Sequence, residues 1–138
     1  MRVRRANGRA RRGTAAVEMA AVAPLFFALI IGQIEISRVG MVEQLLTTAA
    51  RQGCRYAVIQ GNSTLTAKAQ ALSFLRDAGI NTLPGNITIG DDPYVPNAVR
   101  MQVSVPYGQV SWLGNSTSTF IGTNTMLTGT ASMGKESF

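Results

Sequence analysis

Residues 19–34 are sixteen consecutive positions without a charge, and they include Ala20, Val22, Leu25, Phe26, Phe27, Leu29, Ile30 and Ile31. A run of this kind suits either a buried core helix or a membrane. As a helix it covers about 24 Å, less than the ~30 Å hydrocarbon core, so a span has to recruit Ala15, Ala16, Val17 and Ile36 at its ends. Glu18 and Glu35 then stand near the two interfaces.

Arg2, Arg4, Arg5, Arg9, Arg11 and Arg12 precede the run, and no acid occurs among the first twelve residues. From residue 14 onward acids and bases cancel, so the net charge of +6 belongs to this tail. The asymmetry predicts a cytoplasmic N-terminus, with the remaining chain on the far side of the membrane. A cleaved secretory signal would place small residues of A-x-A type after the run, but Ala21-Val22-Ala23 falls at its start. The apolar segment is therefore expected to stay attached. An apolar run so soon after Arg12 also argues against a nucleic-acid-binding tail.

The chain has no histidine and one cysteine. An intrachain disulfide, a His-bearing zinc cluster and the Ser-His-Asp or Cys-His nucleophile systems are thereby excluded. Lys68, Asp91, Asp92 and Cys54 remain, and no spacing brings them together. No catalytic residue, metal, cofactor or small-molecule substrate is expected, and the chain reads as a non-enzyme.

The junction runs Arg11-Arg12-Gly13-Thr14-Ala15-Ala16-Val17-Glu18: a basic leader ends at glycine, and a carboxylate stands fifth after it. Pro24 follows in the apolar run, then Gly32, Glu35 and Arg38 at G-x-x-E-x-x-R spacing, then Ala49, Ala50, Arg51, Gly53, Arg55 and Ala57. The junction resembles a type IV prepilin processing site, and the stretch 11–58 is similar to the TadE-like family, minor pseudopilins of the tight-adherence (Flp) pilus. Residues 98–107 and the closing run 127–133 are similar to that family's strands with less specificity.

The resemblance implies cleavage after Gly13 by a membrane prepilin peptidase, leaving Thr14 as the new N-terminus. It implies that Glu18 registers the subunit against a neighbour's α-ammonium group, and that Pro24 kinks the helix for packing. The partners it implies are that peptidase, other pilus or pseudopilin subunits, the assembly platform and the lipid bilayer. The alternative is a single-pass membrane protein or anchor subunit that keeps its leader and has no connection with pili.

Beyond Ile36 the helical period continues, with Val39, Val42, Leu46, Ala50, Gly53 or Cys54, and Ala57 on one stripe. Glu43, Thr47, Arg51 and Arg55 fall on another, where ion pairs of the arginines with Glu43, Glu35 or the head are expected. A second helix is expected over 65–78, with Leu65, Ala69, Leu72, Leu75 and Ala78 as its apolar face and Gly79 as its stop. After Pro84-Gly85 the period becomes two, giving strands around Ile87 and Ile89, Val99 to Val105, and Leu127 to Met133.

The expected fold class is α+β and pilin-like: a long N-terminal helix, a second short helix and a small antiparallel sheet. The expected segments are a leader at 1–13, a transmembrane part at 14–36, an extramembrane continuation at 37–60 and a head at 61–138. Trp112 and Phe120, in a polar loop over 108–124, are candidates for a contact surface. Asp91-Asp92-Pro93 reads as a turn, and Cys54 reads as a small buried thiol, with an intermolecular disulfide as its sharper alternative. Asn62, Asn86 and Asn115 match the N-glycosylation pattern, which three chance occurrences explain in a chain rich in Ser and Thr.

Overall fold

The computed structural model describes residues 8–59, 63–112 and 125–135, with the backbone alone for 8–12. Helix α1, Gly8–Val58, runs unbroken through 51 residues. It begins six residues before the expected Thr14, so the helix includes Arg9, Arg11, Arg12 and Gly13. Arginine is a good helix former, and Gly13 weakens the helix without ending it.

The chain divides into two compact units, residues 1–36 and 37–138. In the first, residues 13–22 and 24–30 are exposed, Val17, Leu25, Phe27 and Leu29 among them at 71%, 65%, 59% and 66%. A helix apolar on all sides has no core to face within this unit.

In the second unit, α1 is followed by α2 (Thr64–Asp77), a 3₁₀ turn (Pro84–Asn86), β1 (Ile87–Asp91), β2 (Ala98–Pro106), α3 (Tyr107–Val110) and β3 (Met126–Gly134). Ser63 caps α2: its hydroxyl accepts the Thr66 N–H at 3.2 Å. At the other end Gly79 takes φ +78°, the Gly79 N–H donates to the Arg76 carbonyl, and the Ile80 N–H donates to the Leu75 carbonyl. This is a Schellman stop, with Ile80 and Leu75 both buried behind it.

The strands form an antiparallel meander in the order β1-β2-β3. Register places Ile87, Val103 and Gly129 in one row and Ile89, Met101 and Ala131 in the next. These residues face the helices. Thr88, Gln102 and Thr130 form the matching row on the polar face, as the two-residue period requires.

The core joins Val42, Leu46, Ala49, Ala50 and Cys54 of α1 to Ala67, Ala71 and Leu75 of α2 and to Ile87, Met101, Val103, Val105 and Leu127 of the sheet. The α1 stripe read from the sequence is the buried one. The α2 stripe is buried only in part: Leu75 is fully buried and Leu72 half-buried, but Leu65 is 76% exposed, Ala69 and Ala78 are exposed, and Ala67 and Ala71 are buried in their place. Small residues turn inward because the helices approach closely. A Cβ on Gly53 would lie 3.2 Å from the Ala67 carbonyl oxygen and collide with the Met101 side chain. Close approach of α1 selects Ala and Gly over the larger Leu, a preference that periodicity does not encode.

Candidate functional site

The candidate site is the N-terminal half of α1, from the arginine–glycine junction to the point where the helix meets the second unit. Gly13 and Thr14 lie inside the helix, and an added Cβ at Gly13 would meet nothing within 4 Å. The junction is thus sterically open and helical. Glu18 is exposed, in the eleventh position of a helix whose first turn holds no acid.

Behind it, α1 contains a stretch long and apolar enough to cross a membrane, and none of its most apolar window is buried. Pro24 sits inside this stretch, where its ring supplies no N–H for the Ala20 carbonyl. Phe26 and Phe27 pack edge to face with centroids 6.2 Å apart.

Gly32 is open on its helix face, and Arg38 is exposed. Glu35 is 6% exposed and takes part in an interaction, and among the described residues no buried side-chain polar atom lacks a hydrogen-bond partner. Its carboxylate is therefore satisfied, as a buried polar group must be.

The second cluster of motif residues has a packing role. Ala49 and Ala50 are fully buried, Gly53 admits the Met101 side chain, and Arg51 and Arg55 point outward. No ion pair joins either arginine to a described carboxylate, contrary to expectation. Glu43 is two turns from Arg51, beyond the i, i+4 reach that such a pair needs. Glycine is equally required on the sheet side: a Cβ on Gly129 would collide with the backbone of Leu46 and Thr47. Sequence alternation placed Gly129 on the correct face. A glycine within an otherwise regular strand was the available signal for a close backbone approach.

Cys54 is a buried free thiol, with Sγ donating to the Ala131 carbonyl at 3.3 Å and directed at the Val99 carbonyl at 3.7 Å. Burial pushes its pKa up from the ordinary 9.0. A buried, protonated thiol is not placed for a disulfide between chains.

Asp91 and Asp92 belong to the β1–β2 hairpin, as the turn reading has it. Lys135 bridges to Asp91 at 2.6 Å, and Asp92 Oδ1 accepts the Tyr94 N–H at 2.8 Å. A hydrogen bond from Ser132, then the Tyr94 N–H, hold the Asp92 carboxyl below its usual range. Arg100 lies over the Tyr94 ring at 5.5 Å. This cluster closes the end of the sheet, and among the described residues no group of three or more metal-ligating side chains occurs.

Trp112 is 66% exposed, in keeping with an accessible position; Phe120 lies outside the described residues. Asn62 and Asn115 also lie outside them. Asn86 is half-buried, its side chain donating to Thr82 Oγ1 at 3.4 Å.

Residues 13–55 match the family model described as TadE-like protein. No curated protein and no solved structure matches the chain. The matched region begins at Gly13 and covers the exposed apolar stretch and the small-residue seam against α2 and the sheet; Arg11 and Arg12 precede it, and it stops before the strands.

Proposed function

We propose, from the TadE-like match of residues 13–55, that the chain is a minor pseudopilin: a single-pass component of an inner membrane that helps assemble a tight-adherence pilus. The observation that carries the proposal is the coincidence of that match with a helix segment whose apolar side chains are exposed on every side. In such a segment the partner is lipid before assembly and other helices after it. The head, with its own core, is carried outside the membrane, and the excess of arginine before the span keeps the N-terminus cytoplasmic.

Prepilin peptidase removes residues 1–13 in this scheme. Gly13 assists in two ways. It lacks a Cβ, so a protease backbone can approach, and a glycine inside a helix lowers local stability by about 0.5–1 kcal/mol relative to alanine, which eases unwinding at the scissile bond. Cleavage also changes the electrostatics of Glu18. With Thr14 as the first residue, the carboxylate moves from the eleventh position to the fifth, close to the positive end of the helix dipole and to a new α-ammonium group. A carboxylate near the bilayer is costly without a partner, so pairing with the ammonium of a neighbouring subunit gives it one.

The test is the N-terminus of the protein recovered from membranes of its native host. A chain starting at Thr14, and one with its leader retained in Gly13→Ala, supports the proposal. A start at Met1 in both leaves an unprocessed single-span protein whose arginines set topology and attract anionic lipid.

A further inference from the structure

Residues 78–90 and 101–134 contain no acidic or basic side chain. The strand register gathers parts of both at one end of the second unit. Val105 pairs with Leu127 and Pro106 with Met126, the Tyr107 N–H donates to the Thr125 carbonyl at 2.8 Å, and the Thr82 hydroxyl donates to the Ser104 carbonyl at 3.3 Å. The Ser111 N–H bonds back to the Tyr107 carbonyl at 3.0 Å, which keeps Trp112 beside them. Leu83, Trp112 and Met126 are 68%, 66% and 47% exposed. Asp91, Asp92, Arg100 and Lys135 lie at the opposite end, where Asp91 is level with Val99 and the Lys135 N–H donates to the Asn97 carbonyl.

The uncharged end is also the one at which α1 enters this unit. A Cβ on Gly129 would meet the backbone of Leu46 and Thr47, a Cβ on Gly53 would meet Met101, and Cys54 reaches the carbonyls of Ala131 and Val99. Rising numbers along α1 therefore run from the Val103–Gly129 row toward Val99 and the charged end. In the other direction, the nine residues from Leu46 back to Ser37 cover about 14 Å, and the three from Val103 to Pro106 about 10 Å. Ser37 thus reaches the level of the uncharged loops. Ile36 is its covalent neighbour, so on the single-span reading a bilayer is within reach of this end whatever angle the two units adopt.

We infer that the uncharged end of the head rests on the lipid surface from which α1 emerges, with Trp112 and Leu83 seated in the interfacial zone. The inference rests on the single-span reading above and adds a second lipid contact to it. Tryptophan suits this zone, because its ring is apolar and its indole N–H can meet headgroups or water. Loops without charged side chains avoid the desolvation cost that would hold the end away from hydrocarbon. Arg38 is exposed one residue beyond Ser37, and its long stem carries the guanidinium to lipid phosphate. A few apolar side chains alone bind weakly. The span supplies a high local concentration, so the contact forms in the anchored chain and not with a free fragment. The charged end, closed by the Asp91–Lys135 ion pair, then faces water.

Trp112 is the single tryptophan, so its fluorescence reports the contact. The full-length chain is reconstituted in phosphatidylcholine vesicles, part of whose lipid carries bromine on the acyl chains as a quencher, with iodide as the aqueous quencher. Bromolipid is expected to quench Trp112, and iodide to have little effect. Leu83→Asp, at an exposed position, should lower the bromolipid quenching about twofold and open Trp112 to iodide, with circular dichroism unchanged. Quenching by iodide alone, or bromolipid quenching indifferent to Leu83→Asp, overturns the inference. Shielding of Trp112 from both quenchers means cover by protein and overturns it as well. The double variant Trp112→Phe/Phe26→Trp moves the reporter to the middle of the apolar stretch. Bromolipid quenching in that variant with none at Trp112 removes the head contact alone, whereas no quenching in it removes the single-span reading and this inference together.

Discussion

At the scale of single residues, two glycines set how closely the second unit can pack. Gly129→Val adds a branched side chain where even a Cβ collides with the α1 backbone. The substitution should cost about 1–3 kcal/mol, read as a lower denaturation midpoint of the full chain in detergent, because backbone on both sides leaves no soft atom to yield. Cys54 gives a pH signature. Its pKa is raised by burial from 9.0, so the folded chain holds its proton at pH values where the unfolded chain has lost it. The unfolded state binds fewer protons in that interval, and the stability contributed by the thiol, complete below pH 9, falls as pH rises above it. Cys54→Ala should remove this alkaline slope, and the native thiol should alkylate only when the chain unfolds. Asp92 has the opposite sign: its lowered pKa favours folding above the usual carboxylate range and the contribution is lost in acid, but its exposure keeps the effect small.

At the scale of elements, α2 separates hydrophobic pattern from burial. Leu75 is fully buried and Leu65 is 76% exposed, although both lie on the stripe that the sequence suggested. Leu75→Ala should cost about 2–5 kcal/mol in chemical denaturation, because it leaves a cavity between α2 and the sheet. Leu65→Ala should change stability by no more than about 0.5 kcal/mol. The same comparison applies to α1, where Leu46 is fully buried and Met41 is 62% exposed.

At the scale of the whole molecule, the two compact units have separate physical requirements. Among the described residues every buried member of the hydrophobic core lies between Val42 and Leu127, so the fragment 37–138 should fold without residues 1–36 and remain in solution. Circular dichroism and a cooperative thermal transition would check this, with a sedimentable or unfolded fragment as the contrary result. The apolar stretch of the first unit suits a membrane instead, by its length and composition. Phe26→Arg, at the middle of the apolar stretch, should weaken insertion by about 2.5–3.5 kcal/mol, visible as a shift from the carbonate-resistant to the extractable fraction of membranes.

The sequence by itself determined what depends on composition and local period. The charge-free run, the arginine tail, the α1 stripe through Val42, Leu46 and Ala50, the stop at Gly79 and the three alternating strands were all legible, because solvation, helix termination and side-chain alternation act over a few residues. The junction motif was legible as a pattern. Only the tertiary structure decided which face of α2 turns inward, that Gly53 receives Met101, that Gly129 admits the α1 backbone, and that Arg51 and Arg55 pair with no described carboxylate. Each of these depends on atoms brought together from distant parts of the chain, where close packing and the geometry of approach choose between small and large residues that a local pattern treats as equivalent.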